Sequence, residues 1–307
     1  SLYGGICSKE RLILPFFLLL ALGRLLDYLK IFPPGADKSL NLYVLYIALP
    51  ALILRQVPKL NFSDESLVLL VMPWLVVLFS GPLVFFLCRL LGWSREITGA
   101  LLLMVPLGNT AFLGIPMVEH FFGLDGVPYA VLYDQFGSFL LLSSYGAFLL
   151  ALYGSGEKPT LKAVLKKAFT FPPFLTLLIA FCLRLVVLPD WWQGSLGVIS
   201  QSMTPVVMVS IGIQMRLFLP RQELFPLALG LMLRLLVTPL VFLWACRLFD
   251  LSGTPVHVAL LETAMPPMIM ASVLASVAGL QPRLTSAMAA YGIVCSFFTL
   301  PVIYSFL

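Results

Sequence analysis

Ten apolar runs, each about as long as a membrane is thick, dominate this chain and decide what it can fold into. They cover 11–28, 39–57, 66–91, 97–122, 126–153, 171–188, 194–217, 224–248, 254–279 and 283–305. A hydrocarbon core of ~30 Å takes ~20 largely apolar helical residues to cross. Of the 307 residues, 60% are hydrophobic and 11% charged. A soluble domain carries about 25% charged residues, so water could not solvate this one. The first apolar run is flanked by polar turns and followed by nine more, so it reads as a span and not as a cleaved signal. The expected fold is an all-α polytopic membrane protein of ten transmembrane helices in one domain over 1–307.

The net charge of +5 does not imply nucleic acid, because no basic face and no solvated domain carry it. The basic residues sit in loops, where they orient the chain. One side holds Lys9, Arg11, Arg55, Lys59, Arg184 and Arg247. The other holds Arg24, Lys30, Lys38, Arg89, Arg95, Lys158, Lys162, Lys166, Lys167, Arg216, Arg221 and Arg283. The positive-inside bias makes the richer side cytoplasmic and puts both termini outside. Lys158, Lys162 and Lys166 fall at helical spacing beside Lys167 and should meet anionic membrane lipids. The cysteines (Cys7, Cys88, Cys182, Cys246, Cys295) are scattered and read as small apolar fillers.

The two halves resemble each other. Pro82 to Leu90 reads PLVFFLCRL, and Pro239 to Leu248 reads PLVFLWACRL. YDQFGSF from Tyr133 answers YGIVCSF from Tyr291, and Pro50 answers Pro205. Repeat 1 covers 1–153 and repeat 2 covers 171–307, joined by a short basic loop at 154–170. Each half holds an odd number of spans, so the second copy enters the membrane upside down, giving two inverted five-helix repeats.

Spans 4 and 9 hold corresponding places in the two halves, and both are interrupted. Span 4 carries VPLGNTAFLGIP (Val105 to Pro116), and span 9 carries LETAMPPMIM (Leu261 to Met270). Pro removes a backbone donor and clashes with the preceding turn, while Gly lowers helix persistence. Unwound backbone at membrane depth persists only where it lines a cavity or is buried in protein. Half-helix ends there would aim free N–H and C=O groups into the midplane, at an anion or a coupling ion. Gly108, Asn109, Thr110, Met265, Pro266 and Pro267 are the candidate substrate-binding residues.

GNTAFLGIP in span 4, AMPP in span 9 and YIALPALIL in span 2 (Tyr46 to Leu54) resemble the auxin efflux carrier family, which includes plant PIN proteins and bacterial organic-anion permeases. The resemblance runs along the whole chain. It implies a scaffold of spans 1, 2, 6 and 7 beside a transport part of spans 3–5 and 8–10, with substrate at the crossover moved by an elevator-like shift. The family's Asn matches Asn109, and its prolines match Pro266 and Pro267. The short 154–170 loop departs from the plant proteins, so control by phosphorylation of a long loop is not expected. A bacterial-type member would sit in the inner or plasma membrane, and a homodimer, where one forms, would use the scaffold helices.

Other polar residues within spans each admit two readings. Arg234 is either a counter-charge for an anionic substrate or one half of a structural pair with Glu262 or Asp134. Glu262, one turn before Pro266, could ligate Na⁺ with unwound carbonyls or carry H⁺, and the related bile-acid transporters are similar in placing acidic and amide groups at their crossover. Asp134 and Gln135 face Gly292 and Ile293 in the other repeat, an asymmetry that fits ion coupling or a buried cap on span 4. Asn41 and Gln201 line the path or simply bridge helices. His120 and His257 lie too far apart in sequence to suggest a metal.

No nucleophile elbow, zinc-binding His pair or phosphate loop supports an enzyme, and no cofactor beyond a coupling ion, Na⁺ or H⁺, is expected. The function expected is secondary transport of a small organic anion. A channel and a sensor that retained the transporter fold are the alternatives.

Overall fold

The computed structural model describes residues 2–60, 64–154, 160–186, 189–215 and 223–307. Helix occupies every one of the ten apolar runs. In chain order the first elements are α1 (Leu2–Tyr28), α2 (Ala36–Lys59), α3 (Asp64–Leu90), α4 (Arg95–Met104), α5 (Ile115–Phe122) and α6 (Val127–Tyr153). They are followed by α7 (Leu161–Ala168), α8 (Pro172–Leu183), α9 (Asp190–Gln214) and α10 (Leu224–Leu248). The last are α11 (Thr254–Thr263), α12 (Ile269–Val277) and α13 (Pro282–Ser305). Among the described residues, six helices are long and apolar enough to cross a membrane unaided: α2, α3, α6, α9, α10 and α13.

Proline shapes these helices in a consistent way. Three π turns, Val44–Ala48, Thr110–Gly114 and Leu233–Val237, each end two residues before a proline, at Pro50, Pro116 and Pro239. A proline cannot donate to the turn before it and its ring crowds that turn. The chain relieves the crowding by widening: the N–H of Leu49 reaches back to Val44 O, that of Ile115 to Thr110 O and that of Thr238 to Leu233 O. In α9 the same constraint acts differently: the helix is interrupted at Ser202, one turn before Pro205.

The chain divides into two compact units, residues 1–60 with 171–215, and residues 61–170 with 216–307. Each takes elements from both halves of the sequence. The first unit holds α1, α2, α8 and α9; the second holds the rest.

In the first unit α1 lies along the second half of α9 at the closest approach backbones allow. A Cβ on Gly23 would run into the main chain of Val209, and one on Gly212 into Leu20 O and the backbone of Arg24 and Gly23. Small residues of this kind let membrane helices associate through dispersion contacts, since lipid offers no hydrophobic drive. Gly212→Val is expected to lower stability by about 3 kcal/mol, because backbone atoms cannot swing aside to accept the new side chain. Thermal unfolding of the purified protein would show it; a midpoint at the wild-type value would mean the two helices are free to separate. Polar bridges complete the unit. Ser210 Oγ donates to Asn41 Oδ1 at 2.7 Å, and Tyr43 Oη shares a hydrogen bond with Ser202 Oγ at 2.7 Å.

In the second unit α4 begins cleanly, with the Ser94 hydroxyl accepting from the N–H of Ile97 at 3.3 Å and Glu96 in the first turn. It ends at Met104, since Pro106 has no N–H to continue the helix and its ring crowds the preceding turn. α11 begins behind Gly253, with Pro255 in its first turn, and stops before Pro266 and Pro267. Thus α4 with α5, and α11 with α12, are two helices each opened in the middle by its own prolines.

Candidate functional site

The two openings meet. Gly108 and Pro267 form an isolated antiparallel bridge. The Asn109 N–H donates to Pro266 O at 2.8 Å, and the Met268 N–H donates to Leu107 O at 3.0 Å. Each break therefore satisfies part of the other's backbone, which buried main chain requires. Gly108, Asn109, Thr110, Met265, Pro266 and Pro267 are all buried and gathered at this junction.

Arg234 sits on the π turn of α10, 1% exposed. Its Nε donates to Met265 O at 2.7 Å, and its Nη1 donates to Pro106 O at 3.0 Å and Val105 O at 3.2 Å. Those carbonyls follow the ends of α11 and α4. One guanidinium thus covers the negative ends of two half-helices, where orphan carbonyls and the helix dipole both favour a cation. Gly108 makes room for it: a Cβ there would collide with Arg234 Nη2. Among the described residues Arg234 makes no ion pair with Glu262 or Asp134; its partners are main-chain oxygens, which neither sequence reading of this residue named.

Asn109 is 2% exposed. Its carbonyl accepts from the N–H groups of Leu113 and Gly114 at 3.3 and 3.0 Å, opening the π turn that leads into α5. Its side chain does not cap that turn, and the buried Nδ2 has no partner in the protein. Thr110 Oγ1 donates to Asp134 Oδ1 at 2.6 Å, and Gln135 Nε2 donates to Asp134 Oδ2 at 2.7 Å. Asp134 and Gln135 begin the first π turn of α6, so two π turns face each other through a carboxylate. A Cβ on Gly292, the residue that the sequence sets against Asp134, would lie 2.6 Å from Pro267 Cδ.

Glu262 is 0% exposed, and neither carboxylate oxygen has a hydrogen-bond partner. The carboxylate lies against the backbone of Gly114, where any side chain would strike it. A charged carboxylate so placed costs several kcal/mol unless a cation or a proton accompanies it. Gln135 Oε1 is likewise buried and unpartnered. Two residues that the sequence reading did not single out belong here as well. Tyr133 Oη shares a 3.0 Å hydrogen bond with Thr263 Oγ1, tying α6 to the end of α11.

Asn41 and Gln201 belong to the first unit, Asn41 on α2 bonded to Ser210 and Gln201 exposed where α9 is interrupted. His257 lines a cavity of about 290 Å³ with Arg247, Asp250 and Ser252.

An all-helical, membrane-spanning chain that pairs two opened helices around a buried arginine and carboxylate has the makings of a carrier. The chain belongs to the membrane transport protein family, which matches residues 11–304, and this is the auxin efflux carrier family that its motifs resemble. It is 29% identical over 293 residues to an uncharacterized transporter of Methanothermobacter thermautotrophicus, covering 94% of this chain and 95% of that one. It is 30% identical over 262 residues to an uncharacterized transporter of Methanocaldococcus jannaschii, covering 81% and 83%. The protein is thus an integral membrane transporter and not an enzyme.

Proposed function

We propose that the protein is a secondary transporter of a small organic anion, a carboxylate, bound where the two opened helices meet. The observation that carries this reading is the Asn109 amide, a buried donor without a partner beside the start of a half-helix. Positive helix ends and an unused N–H donor suit a carboxylate, while Arg234 is occupied with main-chain carbonyls. The unpartnered acceptors Glu262 Oε1, Glu262 Oε2 and Gln135 Oε1 suit a monovalent coupling cation, or a proton at Glu262. The reading includes ten spans in two inverted five-helix repeats, both termini outside and the 154–170 loop in the cytoplasm. The second unit would act as the moving body of an elevator and the first as its scaffold.

Asn109→Ala is expected to weaken carboxylate binding about tenfold or more, the loss of a buried hydrogen bond to a charged ligand, while leaving the unfolding midpoint within a few degrees. Counterflow of labelled carboxylates in proteoliposomes measures it. Wild-type exchange in the variant would sink the site.

A further inference from the structure

The first unit contains its own set of unsatisfied buried atoms. Arg55 Nε, Gln56 Nε2, Trp192 Nε1 and Gln193 Oε1 are all sealed from solvent without a hydrogen-bond partner. Among the described residues, these four are every such atom of the unit. They come as two adjacent pairs on α2 and α9, helices that pack against each other. Buried polar groups in a folded protein are overwhelmingly paired, and one left over calls for an explanation. Four such atoms on two helices that pack together point to a ligand.

The chemistry of that ligand follows from the atoms. Three of the four are N–H donors, and Arg55 adds a permanent positive charge. Its guanidinium lies over Gly197, where a Cβ would come within 3.4–3.6 Å of its Cζ, Nη2 and Nε. The side-chain contact it makes is a long one, Nη1 to Ser200 Oγ at 3.5 Å, and Ser200 Oγ itself donates to Gly197 O. Among the described residues Arg55 has no carboxylate partner. A cation held in this way within a membrane protein needs an anion beside it.

Depth identifies the kind of anion. Arg55 and Gln56 stand in the last turns of α2, just before Lys59, and Trp191 and Trp192 open α9. Trp residues at helix ends, with one 67% exposed, mark the headgroup level of the bilayer. We propose that Arg55, with the neighbouring Gln56 and Trp192 donors, binds a phosphate oxyanion at the membrane interface, either the headgroup of an anionic lipid or free phosphate. Arg supplies two N–H groups in the fork that matches a phosphate, and the Trp192 indole supplies another. The site belongs to the first unit and stands independently of the carrier site in the second.

The test uses the purified full chain, with thermal unfolding followed against phosphatidylglycerol, phosphatidylcholine and inorganic phosphate. Wild type is expected to gain several degrees, saturably, with phosphatidylglycerol and not with phosphatidylcholine. Arg55→Gln should raise the half-saturating concentration on the order of tenfold or more, and Trp192→Phe about threefold or more. Inorganic phosphate reproducing the shift identifies a free oxyanion; a shift with the lipid alone identifies a headgroup; either supports the site. Equal shifts with both lipids and none with phosphate overturn it. So does an unchanged half-saturation in Trp192→Phe, which keeps the ring and remains informative if Arg55→Gln does not fold.

Discussion

Arg234→Gln is expected to abolish transport and to destabilise the protein by about 3 kcal/mol or more, since three buried carbonyls would lose charge-assisted donors. The informative companion is Arg234→Lys. A substrate counter-charge would tolerate lysine, with the positive charge kept and KM raised. A clasp on Val105, Pro106 and Met265 would not, because an ammonium cannot reproduce the planar fork that reaches two helix ends at once. The expected result is that Arg234→Lys also loses most of its activity and several degrees of unfolding temperature. A lysine variant of normal stability that merely binds carboxylate more weakly would return Arg234 to the substrate.

Glu262→Gln should act in the opposite direction on stability. The carboxylate is buried with both oxygens unpartnered, so a neutral isostere removes a desolvation cost and leaves the fold intact or firmer. What it should remove is the dependence of uptake on the coupling ion, with stimulation by Na⁺ or by a pH gradient falling about tenfold or more, as expected when a residue carrying the coupled charge is neutralised. Uptake in wild-type proteoliposomes with each gradient imposed separately decides which ion it is. Ion dependence persisting unchanged in Glu262→Gln would move the coupling role elsewhere, with Asp134 the next candidate.

The two helix openings were legible in the sequence because proline and glycine act on backbone geometry directly, wherever they stand. Pro106 with Gly108, and Pro266 with Pro267, are enough to stop α4 and α11, and the likeness of the halves put the stops at matching points. The partner of Arg234 was not legible. A carbonyl has no letter of its own, so a search for charge complements finds Glu262 and Asp134 and overlooks the helix ends. The seats of Arg234 and Glu262 were hidden for a related reason. Gly108 and Gly114 look like generic helix breakers in sequence, whereas in the fold each is the absence of a side chain opposite a charge. The π turns could have been found, since three lie just before a proline, but a single sequence does not tell whether a helix will widen or kink there.

The bridge between Gly108 and Pro267 has a consequence for biosynthesis. Its two strands are made far apart in time: with roughly 160 residues between them and elongation at about 5–20 residues per second, the first opening waits on the order of ten to thirty seconds for its complement. During that interval Leu107 O and the Asn109 N–H lack the partners they have in the finished protein. The first half of the chain therefore leaves the ribosome as an incomplete object, and an early stop or a stall before residue 268 would leave open backbone at membrane depth for quality control to find.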